Sequence, residues 1–154
     1  MSDGLYDWLL FLHVFAGMVW VGGGVLLAVL VTRVLRAPEP GVVARFIGNL
    51  RVIGPLVLAP ATLAVVGFGV WLVLHSAAWS FEQFWVQLAL ALFAAALVIG
   101  AAYQSRAAIN ADRAATRGDH DEARRQLARW SWGYRLVLLL LIVATWDMVT
   151  KPGL

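Results

Sequence analysis

Cysteine is absent from the 154-residue sequence, and charged side chains make up only 14% of it. The first absence excludes disulfides, cysteine-ligated zinc sites and iron–sulfur clusters. The second separates the chain from soluble domains, in which roughly 25% of residues are charged. Hydrophobic residues account for 62% of the chain. A soluble domain of this length would not bury that much apolar surface, so the composition predicts an integral membrane protein.

Four apolar segments are long enough to cross a bilayer, since a transmembrane helix needs roughly 20 predominantly apolar residues. The fourth segment is the least uniform, because Arg135 and Asp147 lie near its two ends. The sequence therefore predicts one all-α domain, residues 1–154, built as a four-transmembrane-helix bundle. The predicted spans are residues 8–31, 52–74, 84–105 and 132–150.

Basic residues are distributed unevenly along the chain. Of the 12 lysines and arginines, all except Lys151 lie between spans one and two, or between and at the ends of spans three and four. These residues are Arg33, Arg36, Arg45, Arg51, Arg106, Arg113, Arg117, Arg124, Arg125, Arg129 and Arg135. Cytoplasmic loops of membrane proteins carry such an excess, so both termini are predicted outside and both long loops in the cytoplasm. Because the membrane topology explains the excess of basic residues in these loops, we expect no nucleic-acid partner.

The second long loop is predicted to be a helical hairpin that extends helices three and four into the cytoplasm. Residues 104–117 are rich in alanine and arginine and contain no proline. Gly118 is suited to end a helix, and Asp119 with Glu122 has the spacing of a capping box for the next one. Two interpretations stay open for the hairpin: a solvated charged surface, or a docking site for a partner protein.

Polar residues within or at the ends of the spans are predicted to lie together in the outer half of the bundle. They come from four different helices and are His13, His75, Gln87, Asp147 and Lys151. Ionisable residues at membrane depth usually face the bundle interior, and they are functional candidates for that reason.

One face of the first span combines a histidine with small residues. His13, Gly17, Trp20 and Gly24 are separated by three or four positions, which places them on the same side of a helix. The glycines permit the close approach of another helix or of a flat ligand. His13 is either a hydrogen-bonded histidine of a packed bundle or a ligand or proton site. The predicted cofactor-binding set is His13, Gly17, Trp20, Gly24, Gln87, Asp147 and Lys151.

The candidate metal ligands are His13 and His75, because imidazole commonly binds haem iron, copper and zinc. His75 lies nearer the surface, which makes a bis-histidine haem awkward. Met18 and Met148 would suit copper(I), but Met18 follows His13 by five residues and points away from it on a helix. Asp147 is placed to orient His13 or to pair with Lys151.

Short stretches of the sequence resemble a known family over nearly the whole chain. They are LHVFAGMVWVGG in span one, RVIGPLVLAPATLAVVGFGVWL in span two, FWVQLALAL at the start of span three and the terminal TKPG. The chain resembles the bacterial integral membrane proteins of domain of unknown function 2269. It is more distantly similar to HemJ-type protoporphyrinogen oxidases and to the CopD copper-resistance domain, which are also four-helix membrane proteins.

The resemblance implies a haem b or porphyrin site that uses His13, in a multi-pass protein of the bacterial inner membrane. HemJ-type proteins have a lysine where this sequence has Gln87, and a later histidine for which Tyr103 is a poor substitute. The first hypothesis is therefore a haem- or porphyrin-related redox role centred on His13. The alternatives are a non-enzymatic membrane subunit or scaffold, as a homo-oligomer or within a complex, and CopD-like handling of copper or a small solute.

Overall fold

The computed structural model describes residues 3–153, and this range folds into four long helices joined by short loops. Helices α2 and α3 each consist of two α-helical parts joined without a break by a single π-helical segment. The bounds are α1, Asp3–Arg36; α2, Pro40–Ile53, Gly54–Leu58 and Ala59–Leu74; α3, Phe84–Val98, Ile99–Gln104 and Ser105–Thr116; and α4, His120–Thr150.

All four helices are long and apolar enough to cross a membrane. The all-α, four-helix architecture predicted from the sequence is confirmed. The spanning helices contain 31 to 34 residues, or about 45–50 Å at a rise of 1.5 Å per residue. This length exceeds the roughly 30 Å of a bilayer's hydrocarbon core. The helices therefore continue past the predicted spans.

The two ends of the bundle differ in composition. We call the half that contains the start of α1, loop 75–83 and the end of α4 the upper half. The half that contains loops 37–39 and 117–119 is the lower half, and it carries all eleven arginines named above.

The lower half is a closed four-helix core. Val31, Ile47, Ala114 and Leu127 come from the four different helices and are almost completely buried in one cluster. The predicted extension was a hairpin of helices three and four alone. In the structure α2 also contributes, since it begins at Pro40. Its buried residues recur at helical spacing and pack inside the same cluster: Val43, Ile47 and Leu50.

The turn between α3 and α4 forms largely as predicted. Gly118 has a φ of 75°, a conformation that glycine adopts without strain. The Asp119 side chain accepts a hydrogen bond from the backbone amide of Glu122 at 3.0 Å. The Glu122 carboxylate does not reach back to complete the box. It accepts hydrogen bonds from Gln126 and Arg125, which hold the pKa of the Glu122 carboxyl below its usual value.

The upper half is open on one side. There α1 packs against α2 and α4, and α4 packs against α3. Within the described residues, no Cα of Ala59–Leu74 lies within 8 Å of a Cα of Phe84–Val98, whereas the lower parts of α2 and α3 do meet. The separation begins beyond the π-helical segments, and such segments are common at functional sites. A gap therefore separates α2 from α3 in the upper half.

Gly24 lies at the contact between α1 and α4. A Cβ at this position would lie 2.7 Å from Leu138 Cδ2 and 3.1 Å from Tyr134 Oη. We expect Gly24→Val to lower the free energy of unfolding by about 1–3 kcal/mol, because it overpacks this contact. Gly22→Val is the matched control, since a Cβ at Gly22 meets no atom within 4 Å. Thermal unfolding in detergent measures the difference, and equal melting temperatures would contradict the close packing.

Candidate functional site: an apolar cavity in the upper half

A cavity of about 780 Å³ lies in the upper half, among all four helices and loop 75–83. Its volume falls within the range of roughly 300–1,000 Å³ typical of small-molecule sites. The walls are mostly aliphatic and aromatic side chains, with few polar groups. Because α2 and α3 are separated at this level, both helices contribute wall residues without closing the space between them.

Trp20 forms the floor of the cavity together with Phe93. The two rings meet edge to face, with centroids 5.7 Å apart. Trp20 is buried and belongs to a core cluster that also contains Ala61, Ala96 and Leu141. The small side chains on α2 and α3 leave room for the indole between the helices. This cluster separates the cavity from the lower core.

His13 is held in one orientation on the cavity wall. Its Nδ1–H donates a hydrogen bond to the backbone carbonyl of Val65, with a nitrogen–oxygen distance of 2.8 Å. Gly69 permits this contact, because a Cβ there would lie 3.0 Å from His13 Cε1 and 3.2 Å from Nδ1. With Nδ1 protonated and bonded, the neutral ring keeps its lone pair on Nε2. The lone pair of Nε2 can then bind a metal ion or accept a proton.

Loop 75–83 places Trp79 at the upper end of the cavity. The Trp79 indole N–H donates to Tyr6 Oη at 3.2 Å, and its ring meets Trp85 edge to face at 5.2 Å. Lys151 Nζ lies 4.7 Å from the centroid of the Trp79 ring and 5.9 Å from that of Trp85. An ammonium at this distance from an aromatic face is stabilised by a cation–π interaction. The two indoles therefore hold the Lys151 cation at the cavity.

The indole N–H of Trp85 is a second polar group at this end. Trp85 is only 9% exposed and lines the cavity, and its Nε1 finds no hydrogen-bond partner among the described residues. Buried donors are normally paired, and an unpaired one is destabilising by about 1–3 kcal/mol. Because the nitrogen itself is enclosed by neighbouring atoms, a ligand in the cavity does not reach it unless the Trp85 ring shifts.

Four of the predicted cofactor-binding residues line the cavity, and three do not. His13, Gly17, Trp20 and Lys151 contribute to its wall. Gly24 lies one turn below Trp20 and packs against α4 instead. The remaining two residues, Gln87 and Asp147, are on α3 and α4 but lie outside the cavity wall.

Gln87 and Asp147 have surroundings that the sequence did not predict. The Gln87 side chain is exposed and donates a hydrogen bond to the backbone carbonyl of Phe81 at 3.1 Å. This bond connects the first turn of α3 to the loop that precedes it. Asp147 is completely buried, and neither carboxylate oxygen has a hydrogen-bond partner in residues 3–153. The expected pairing of Asp147 with His13 or Lys151 is wrong. His13 bonds Val65, and the Lys151 amine lies over the indoles.

His75 does not share the site of His13. It is exposed at the end of α2, where its Nδ1–H donates to the carbonyl of Trp71 at 3.2 Å. No group of three or more histidine, aspartate or glutamate side chains that could hold a metal ion occurs in the described part of the chain. Met18 and Met148 both line the cavity, as His13 does.

Sequence reasoning missed the residues that form the upper end of the cavity. Tyr6, Trp79 and Trp85 were not among the site residues predicted from the sequence. The aromatic density of WSFEQFW, residues 79–85, was the available signal. Aromatic residues are also frequent at membrane interfaces for other reasons, so that signal is ambiguous without the fold.

Residues 7–152 match the family model described as predicted integral membrane protein, DUF2269. The chain belongs to this family. The four apolar helices of this DUF2269 protein agree with the description, so it is an integral membrane protein with four candidate spans. No curated protein and no solved structure matches this DUF2269 protein. A ligand for the cavity is therefore inferred from the chemistry of the residues that line it.

Proposed function

We propose that this DUF2269 protein binds haem b in the upper cavity, with His13 Nε2 as a ligand of the iron, and that it has a redox role. The observation that carries the proposal is the hydrogen bond from His13 Nδ1 to Val65. Histidines that bind metals almost always donate their other ring N–H to a carbonyl or carboxylate, which fixes the tautomer and the ring orientation. His13 already has this arrangement on the wall of an apolar cavity.

The residues of the cavity fit such a group. Aliphatic and aromatic walls suit a porphyrin ring, and the floor of Trp20 and Phe93 closes the space below it. Lys151 supplies a cationic donor for a carboxylate group. When bound, haem supplies one-electron redox chemistry. The protein's part is to fix His13, bind the ring and keep water away from it.

Oxidation of porphyrinogen is not part of this proposal. Gln87 occupies the position of the HemJ-type lysine, and it is exposed and lies outside the cavity wall. A neutral amide does not supply the charge or the proton of a lysine. We therefore limit the proposal to haem binding and electron transfer.

We further propose that the upper half faces the outside of a bacterial inner membrane. The arginines are concentrated in the lower half, and an excess of arginine marks the cytoplasmic side. In this orientation the cavity lies in the outer leaflet. Cysteine substitutions at exposed Ser80 and exposed Arg117 test it in a chain without native cysteine. An impermeant maleimide added to intact spheroplasts should label only Ser80→Cys, and labelling of only Arg117→Cys would reverse the orientation.

The visible spectrum of the purified protein titrated with haem tests the central proposal. We expect saturation at one haem per chain, with a shifted Soret band that responds to reduction. A protein that stays colourless after haem addition would contradict it and favour the scaffold or subunit hypothesis. Metal analysis of the same sample tests CopD-like handling of copper. Copper bound in the absence of haem would favour that function.

A further inference from the structure

The upper cavity lies beside the gap between α2 and α3. The wall residues of Ala59–Leu74 and Phe84–Val98 face a common space, and the two helical segments do not approach within 8 Å between Cα atoms. The residues on both sides of this gap are apolar, and they include Val66, Val70, Leu90 and Phe93. In a bilayer, such a gap opens toward lipid. A molecule dissolved in the membrane can therefore enter without crossing water.

Among the described residues that line the cavity, one is cationic, and it lies at the upper end. Lys151 Nζ contacts the Trp79 and Trp85 rings and forms no salt bridge within residues 3–153. Such a cation binds an anion and repels an ammonium group.

We propose that the cavity takes an anionic amphiphile from the membrane through the gap between α2 and α3, and that Lys151 binds its carboxylate. The apolar body occupies the space between Trp20 and Trp79, and the carboxylate stays at the membrane surface beside α4. This inference rests on the proposed function only because both place a ligand in the same cavity. Haem b belongs to this class of ligand because it joins an apolar ring to carboxylates, but carboxylate binding does not require iron.

A brominated fatty acid is a suitable probe, because bromine quenches tryptophan fluorescence on contact and three cavity residues are tryptophans: Trp20, Trp79 and Trp85. We use 9,10-dibromostearic acid and its methyl ester at low mole fraction with the full chain in nanodiscs, at alkaline pH. The acid should give saturable quenching, and the neutral ester should bind about tenfold more weakly, the effect of losing a charge-assisted hydrogen bond.

Substitutions at Lys151 test the carboxylate contact. Lys151→Met should remove the preference for the acid over the ester and leave binding of the ester unchanged. Lys151→Arg should retain the preference, since it keeps the positive charge. An unchanged preference in Lys151→Met, or equal binding of acid and ester by the unmodified protein, would overturn the assignment of Lys151.

Substitutions of glycine test whether the probe occupies the cavity. Gly17 lines the cavity, and a Cβ there meets no atom within 4 Å, so Gly17→Leu should fill the space and abolish saturable quenching. Gly67→Leu is the matched control because Gly67 also has open space around it but does not line the cavity. Saturable quenching in Gly17→Leu equal to that of Gly67→Leu would place the probe elsewhere on the protein.

A cross-link tests the route of entry. The pair Val66→Cys and Leu90→Cys can be joined by a bis-maleimide across the gap, since the chain has no other cysteine. The cross-linked protein should bind the acid at least tenfold more slowly than the same pair blocked with a monofunctional maleimide. Equal rates would overturn entry between α2 and α3. Failure of the fatty acid to bind, beside a normal haem spectrum, would reject this inference and leave the proposed function standing.

Discussion

Replacing His13 with alanine should lower the affinity for haem by at least about 100-fold, because it removes the iron ligand and not only a supporting contact. The Soret shift seen on haem addition should disappear with it. Spectral titration in detergent measures both effects. His75→Ala is the matched control, since His75 is exposed and bonded only to the carbonyl of Trp71 in its own helix. It should bind haem as the unmodified protein does.

Two other outcomes of the titrations of His13→Ala and His75→Ala would contradict the proposed role of His13. If His13→Ala retains the Soret shift while His75→Ala loses it, the iron is bound at the surface and the cavity is not the haem site. If both variants retain it, neither predicted metal ligand binds the iron. A melting temperature measured without haem shows whether His13→Ala is folded. It should lose only the contribution of one hydrogen bond, about 1 kcal/mol.

Gly69→Ala should weaken haem binding about tenfold without removing any functional group. The added methyl would lie 3.0 Å from His13 Cε1 and 3.2 Å from Nδ1, closer than ordinary packing permits. The imidazole then has to shift by a few tenths of an ångström, which lengthens or misaligns the hydrogen bond to Val65 that fixes its tautomer. Loss of such a supporting contact typically weakens metal binding by roughly 10–100-fold. Spectral titration again gives the affinity.

Gly67→Ala controls for the general effect of replacing a helical glycine by alanine. Gly67 is two positions away on α2, and a Cβ there meets no atom within 4 Å. Both substitutions gain helix propensity of about 1 kcal/mol. Only Gly69→Ala contacts His13. Equal haem affinity in the two variants would show that the His13–Val65 contact does not orient the iron ligand.

The four-helix architecture was predictable because it depends on length and polarity. Segments of about 20 apolar residues have few alternatives to a membrane helix. The lower part of α2 was not predicted, since Arg45 and Arg51 made the segment resemble a loop. Both arginines are exposed there. The buried face consists of Val43, Ile47 and Leu50, a spacing typical of an amphipathic helix.

The position of the candidate site along the bundle could also be predicted, but its composition could not. Depth along each span follows from residue number, which placed His13 and Lys151 at the same end. Rotation about each helix axis depends on packing between helices. For this reason Gly24 turned out to contact α4, and Asp147 turned out to be buried away from the cavity wall. The partner of His13 is a backbone carbonyl, and no side-chain pattern reveals it.

The upper end of the cavity depends on contacts between residues far apart in the sequence. Trp79 is held by Tyr6 of α1 and lies against Lys151 at the end of α4. Lys151 has a φ of 44°, which ends the helix there. Neither feature has a local sequence signature. Only the fold brings these three residues together.

An experimental structure of the haem-treated protein in nanodiscs tests the central claim most directly. We expect haem between Trp20 and Trp79, with iron bound to His13 Nε2 and His13 Nδ1 still bonded to the carbonyl of Val65. We also expect a carboxylate of the haem beside Lys151. Haem bound outside the upper cavity, or iron bound there without His13, would contradict the proposed function.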